Sequence, residues 1–134
     1  FPIGSELYYI QRLHYLDGKA LIINHNYFLK SVVKGLTAEI ASRSIYAYLE
    51  KELGVSIVNS KRIMTVEKMT EIDEKYLDLE DYNCLAVVTS QTFNGDGVMF
   101  EYTQSRHRAD YFRFQENAVR HTVEINFVNF IYFT

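Results

Sequence analysis

The stretch from Phe100 to Phe114, FEYTQSRHRADYFRF, sets Glu101, Arg106, His107, Arg108 and Asp110 inside an aromatic, strand-like run. A strand packed in hydrocarbon has no use for such polarity, because buried ionic groups are costly unless they pair with one another or face a polar ligand. Any fold open to this chain must give these side chains partners. This segment is therefore where function is to be sought, and a small anionic ligand is the expectation.

A chain of 134 residues, 48% of them hydrophobic, suffices for one core and is too short for two ordinary domains, so residues 1–134 are expected to form a single domain. One proline and six glycines exclude a linker-rich or low-complexity protein. A net charge of −3 and an isoelectric point near 5.8 give the chain no electrostatic grip of its own on a nucleic-acid backbone. The one cysteine, Cys84, cannot form an internal disulfide, which suits a reducing cytosol. No run approaches the roughly 18 apolar residues of a membrane span, and FPIGSEL lacks the basic and apolar segments of a signal peptide. A cytoplasmic protein with no membrane partner is expected.

Catalysis has little support. His14, His25, His107 and His121 are scattered without HExxH or a Cys/His zinc spacing, so no metal is expected. There is no GxSxG elbow, no P-loop and no dinucleotide-binding glycine pattern, and Cys84 has no cationic neighbour in sequence to activate it. The reading is a binding module with no catalytic residue and no cofactor.

Residues 6–15 and 20–28 alternate as two strands around Leu16-Asp17-Gly18. A two-residue Asp-Gly turn would put Arg12 and His14 on the face of Ile23 and His25. A three-residue loop with Gly18 in a bulge puts them with Asn24 and Asn26, and is preferred because it segregates polarity better. Thr37 is placed to cap AEIAS, and Ser44 to cap IYAYLEKEL, where Ile45, Tyr48, Leu49 and Leu53 recur at helical spacing up to Gly54. Residues 55–67 read as extended. Thr70 should then cap the short helix EIDEKYLD, with Asp73 in its capping box. Strands are expected at 84–93 and 98–105 around the loop Asn94-Gly95-Asp96-Gly97, with a further short strand from Tyr111 to Phe114. This order favours a mainly antiparallel sheet with helices packed on it, an α+β fold.

Arg12 and His14 opposite Asn24 and Asn26 would gather donors around one permanent cation, which suits a phosphate or carboxylate. The plain alternative is an Arg12–Glu pair on a solvated sheet face. Ser44, at a helix start with free backbone N–H groups, could hold a phosphoryl group beside an arginine, although a pure cap would look the same. Glu101 suits a sugar hydroxyl, or else a salt bridge to Arg12 or Arg106. Arg108 and Asp110 are expected to fix the turn by pairing with each other or with backbone, which leaves His107 as the more promising ligand contact.

Three motifs in order, RLHYLDGKALIINHNYF, SIYAYLEKELGV and FEYTQSRHRADYFRF, resemble the effector-binding (UTRA) domain of bacterial GntR-type regulators of the HutC subfamily. Within the family, HNYFLKSV, LTAEIASRSIYAYLEKELG and EYTQSRHRADYFRF are most similar to the branch that represses trehalose operons. The resemblance implies a chorismate-lyase-like fold, an antiparallel sheet flanked by helices, in a homodimer that meets operator DNA only through an N-terminal winged-helix domain outside this sequence. It implies a sugar-phosphate effector, trehalose 6-phosphate, with Arg12, His14 and Ser44 on the phosphate and Asn24, Tyr46, Glu101 and His107 on the sugar. A related regulator for another sugar phosphate or an organic acid, or a chorismate-lyase-like enzyme, is the alternative. His14 stands where the pattern usually has a second arginine, and Asn24 where it has an acidic residue. Residues 115–134 form an atypical tail. Its apolar, β-prone part, 122–134, must be buried, paired or prone to aggregate.

Overall fold

Two adjacent left-handed residues, Asp17 (φ 51°) and Gly18 (φ 78°), close the first hairpin between β1 (Leu7–Leu16) and β2 (Lys19–Leu29) in a computed structural model that describes residues 1–121 and 124–131. Two positive φ angles in a row are the mark of the two-residue turn whose twist matches the strands. The three-residue bulged loop expected from the sequence is therefore corrected. The open end of the hairpin departs from that register. There the Lys30 amide bonds to the Glu6 carbonyl, one residue out of step with the register the turn sets, and Tyr9 lies against His25 and Tyr27.

The helices follow their capping residues. Thr37 accepts from the Ile40 amide to start α1 (Ala38–Ser42), and Ser44 accepts from the Ala47 amide to start α2 (Ile45–Ala47). The uninterrupted helix expected after Ser44 is instead one α-turn followed by a π-helical turn, Tyr48–Glu52, closed by Leu53 N–H bonding to the Tyr48 carbonyl. Over so few residues the apolar spacing cannot separate the two forms, since either brings Ile45 and Leu49 inward. Gly54, at φ 66°, ends the segment as expected.

β3 (Ile57–Lys68) and α3 (Glu71–Tyr76) come next, the latter started by a complete Thr70–Asp73 capping box. β4 (Cys84–Asn94) and β5 (Met99–Arg108) flank the Asn94–Gly97 loop, where the Asn94 side chain accepts from the amides of Asp96 and Val98. These strands form a mainly antiparallel five-stranded sheet in the order β1-β2-β5-β4-β3. Tyr111–Phe114 is not a strand. Ala109–Tyr111 is a single 3-10 turn, because the Arg108 guanidinium grips Asp110 through two hydrogen bonds of 2.7 and 2.9 Å; it also lies 5.3 Å from the ring centre of Tyr82 and 5.4 Å from that of Tyr111. That confirms the expected Arg108–Asp110 pair. β6 (Gln115–His121) and β7 (Glu124–Ile131) then pair antiparallel as a separate two-stranded sheet, with a register shift at Asn117/Ala118. The rest of the atypical tail, residues 122–123 and 132–134, lies outside the described residues.

The chain divides into two compact units, the first formed by Phe1–Arg12, Asn24–Thr65 and Val87–Ser105, the second by Leu13–Ile23, Val66–Ala86 and Arg106–Thr134. In the first, Ile45 and Leu49 pack on Phe28, Leu29, Val33, Leu36 and Phe100. In the second, the apolar residues Ala20–Ile23, Leu77, Leu79 and Leu85 are buried, and so are Asp73 and Arg106. Arg106 donates to both Asp73 oxygens, at 2.9 Å, and to Glu67 at 3.1 Å. Burial alone would raise the Asp73 carboxyl, but hydrogen bonds from Arg106 and the Thr70 backbone outweigh it and hold the acid below its usual range. No helix among the described residues is long and apolar enough to cross a membrane.

Candidate functional site

Glu101, on β5 and only 4% exposed, is the centre of the polar cluster in the first unit. The Tyr46 hydroxyl, carried by the turn that Ser44 caps, donates to Glu101 Oε1 at 2.5 Å. Thr92 on β4, Asn26 on β2 and the positive charge of Arg12 on β1 each favour the ionised carboxylate. Burial is the largest influence and raises the Glu101 carboxyl above its ordinary value, while Tyr46, Thr92, Asn26 and Arg12 each pull it back. Burial, and then the Glu101 charge, push the Tyr46 phenol well up, so it stays a neutral donor. Its ring remains partly open, at 43% exposure. A buried carboxylate held by neutral donors is a ready acceptor for hydroxyl groups.

The remaining expected residues divide by location. Arg12 reaches α1, where its Nη2 donates to the Ala41 carbonyl at 2.8 Å. Asn24 accepts from the Ser105 hydroxyl at 2.7 Å. Ser44 turns its hydroxyl onto the Ala47 amide at 3.2 Å, the capping role, and borders a surface depression of about 250 Å³ together with Arg43, Tyr48 and Lys51. All of these lie in the first unit, as do Tyr46 and Glu101. His14 and His107 lie in the second. His107 is 1% exposed, packs edge-on against Phe112, and is held neutral down to a pKa of about 4, by burial first and by His14 second. Arg106, considered above as a partner for Glu101, is committed to Asp73 and Glu67 instead.

Thr92 is absent from the sequence-based set. It lies, at 3% exposure, in the polar second half of β4, after Thr89, Ser90 and Gln91, and nothing local distinguishes it from those neighbours. Asn26 was legible as a donor on the hairpin but not as a neighbour of Glu101, because that pairing joins β2 to β5 across 75 positions of sequence.

The family model described as the UTRA domain matches residues 1–113, and the chain belongs to that family. The HTH-type transcriptional regulator TreR of Bacillus subtilis (strain 168) is 38% identical over 118 residues, which are 88% of this chain and 50% of that protein. The uncharacterized regulator YydK of the same strain is 30% identical over 111 residues, 78% of this chain and 47% of that protein. The chain thus spans about half the length of these curated relatives. The solved effector-binding domain of the B. subtilis trehalose repressor, TreR, superposes with a TM-score of 0.83 at 37% identity, covering 91% of this chain and 85% of that one. The α+β, chorismate-lyase-like fold expected from the sequence is the fold found.

Proposed function

We propose that this chain is the ligand-sensing domain of a transcriptional repressor of trehalose utilisation, with trehalose 6-phosphate as its inducer. The observation that carries this reading is the buried Glu101, with Tyr46, Thr92 and Asn26 as neutral donors and the Arg12 charge nearby, in a chain similar over 88% of its length to TreR. Glu101, Tyr46 and Asn24 would read sugar hydroxyls, and Arg12 and Ser44 the phosphate. The assignments of His14 to the phosphate and His107 to the sugar rest on motif alone. A phosphate held by charge-assisted hydrogen bonds gains about 1.5–3 kcal/mol from each, enough to favour the phosphorylated sugar over the free one.

The ligand undergoes no chemistry in this reading. It binds one conformation of a homodimer better than the other, and so biases attached DNA-binding domains away from the operator. The coupling cannot exceed that difference in affinity. Calorimetric titration with trehalose 6-phosphate, trehalose and glucose 6-phosphate tests the ligand, with heat expected for the first well below the concentrations needed for the others. No heat with any sugar phosphate refutes it. The departures at His14 and Asn24 favour, as the second reading, a regulator of the same family tuned to another sugar phosphate.

A further inference from the structure

We infer that Arg12 is a latch that holds α1 against the sheet, and that one setting of its guanidinium serves both α1 and a bound phosphate, so that anion binding firms α1 and the Ser44 cap that follows it. The first half stands on the ligand-free geometry. The second rests on the proposed function and deepens it.

Residues 37–44 lie between two buried anchors, Leu36 and Ile45, and none of the eight is itself buried. At five residues, α1 is far below the length at which a helix is stable alone, so it depends on what holds it from outside. Within the segment the bonds are local: the Thr37 cap, the Ser42 hydroxyl donating to the Glu39 carbonyl at 2.6 Å, and an exposed Arg43–Glu39 pair at 3.7 Å. From outside, Ile40 and Ala41 pack partly buried on the core, and Arg12 Nη2 donates to the Ala41 carbonyl at 2.8 Å. That carbonyl is in the last turn of α1, which has no basic residue of its own, so a cation carried by β1 meets the negative end of the helix.

The bond to Ala41 occupies one of five guanidinium N–H groups. Nη2 carries one hydrogen on each of the two edges that can grip an anion bidentately, so one complete edge remains beside the occupied position. Arg12 is half-buried and forms no salt bridge among the described residues, which leaves its charge for an anion. An anion on the remaining edge fixes the same rotamer that the Ala41 bond requires. The ordering of a long side chain is then incurred once for two contacts, and each contact favours the other. Ser44, three residues beyond Ala41, is held in place with them.

Amide hydrogen exchange on the whole domain reads α1 at the Ala41 and Arg43 amides, which donate to the Thr37 and Ile40 carbonyls. Without ligand, Arg12→Ala should speed both by about tenfold, because a hydrogen bond from a charged donor is lost, and should leave the amides of β4 unchanged. Inorganic phosphate and trehalose 6-phosphate should each slow both amides in the unaltered protein. Arg12→Lys keeps the charge without the fork, and should show no such slowing at anion concentrations that saturate it. Unchanged exchange in ligand-free Arg12→Ala overturns the latch. Anion binding that leaves or speeds the α1 amides, or slowing of equal size in Arg12→Lys, overturns the shared setting. If neither anion binds the unaltered protein, the proposed function falls and the anion half of the inference with it, while the ligand-free comparison still decides the latch.

Discussion

At the scale of single residues, Glu101 and His107 are both buried ionisable groups, and their substitutions should behave in opposite ways. Glu101→Gln keeps the shape and removes a charge that burial disfavours, so urea unfolding should show unchanged or slightly raised stability at neutral pH, while calorimetry shows ligand affinity reduced at least tenfold. His107 is neutral when folded. Its pKa falls from 6.5 to about 4, so between those values the unfolded chain binds a proton that the folded chain refuses, and stability drops as the pH falls through that window. The loss is of order 3 kcal/mol. It should vanish in His107→Gln, seen as a flatter plot of urea midpoint against pH; an unaltered slope would show that another group governs it. Both residues could be singled out from their setting in a polar, aromatic strand. Their partners could not, because Thr92 and Asn26 belong to other strands and only the pairing of the sheet brings them to Glu101.

At the scale of elements, the cap residues were the most legible features. Thr37, Ser44 and Thr70 each bond the backbone amide three residues on, a local interaction that needs no tertiary information. Asp73 shows where local reading stops. Its capping role was visible, but the second use of the same carboxylate as the partner of Arg106 joins α3 to β5 across 33 positions. Asp73→Ala therefore removes a cap and strands a buried guanidinium, and should destabilise by about 3–5 kcal/mol in chemical denaturation. Leu49→Ala, in the fully enclosed position of the first unit, should cost about 2–5 kcal/mol by the same measurement. The turn between β1 and β2 was misjudged for a physical reason. Segregation of polar side chains favours the bulged loop, whereas the backbone freedom of Asp17 and Gly18 decides for the two-residue turn; the one-residue offset lies at the far end, where the Lys30 amide meets the Glu6 carbonyl.

For the molecule as a whole, binding to the folded form alone must stabilise it by mass action. Trehalose 6-phosphate at a hundredfold excess over its dissociation constant should add about 2.7 kcal/mol, raising the thermal midpoint by several degrees, whereas free trehalose at equal concentration should add much less. Differential scanning fluorimetry reads this directly, and equal shifts for both sugars would remove the phosphate from the recognition scheme. The proposed homodimer is checked by sedimentation equilibrium, where a single species of 15.7 kDa at micromolar concentration would contradict it.

The wide turn at Tyr48–Glu52 carries one more residue than an ordinary helix needs between the same two ends. Loss of a single codon among Glu50, Lys51 and Glu52 should let the backbone relax into a regular α-helix, with Ser44 and Tyr46 upstream undisturbed and Leu49 still facing inward. Length variation among homologues is accordingly expected to be tolerated at this point, one residue at a time.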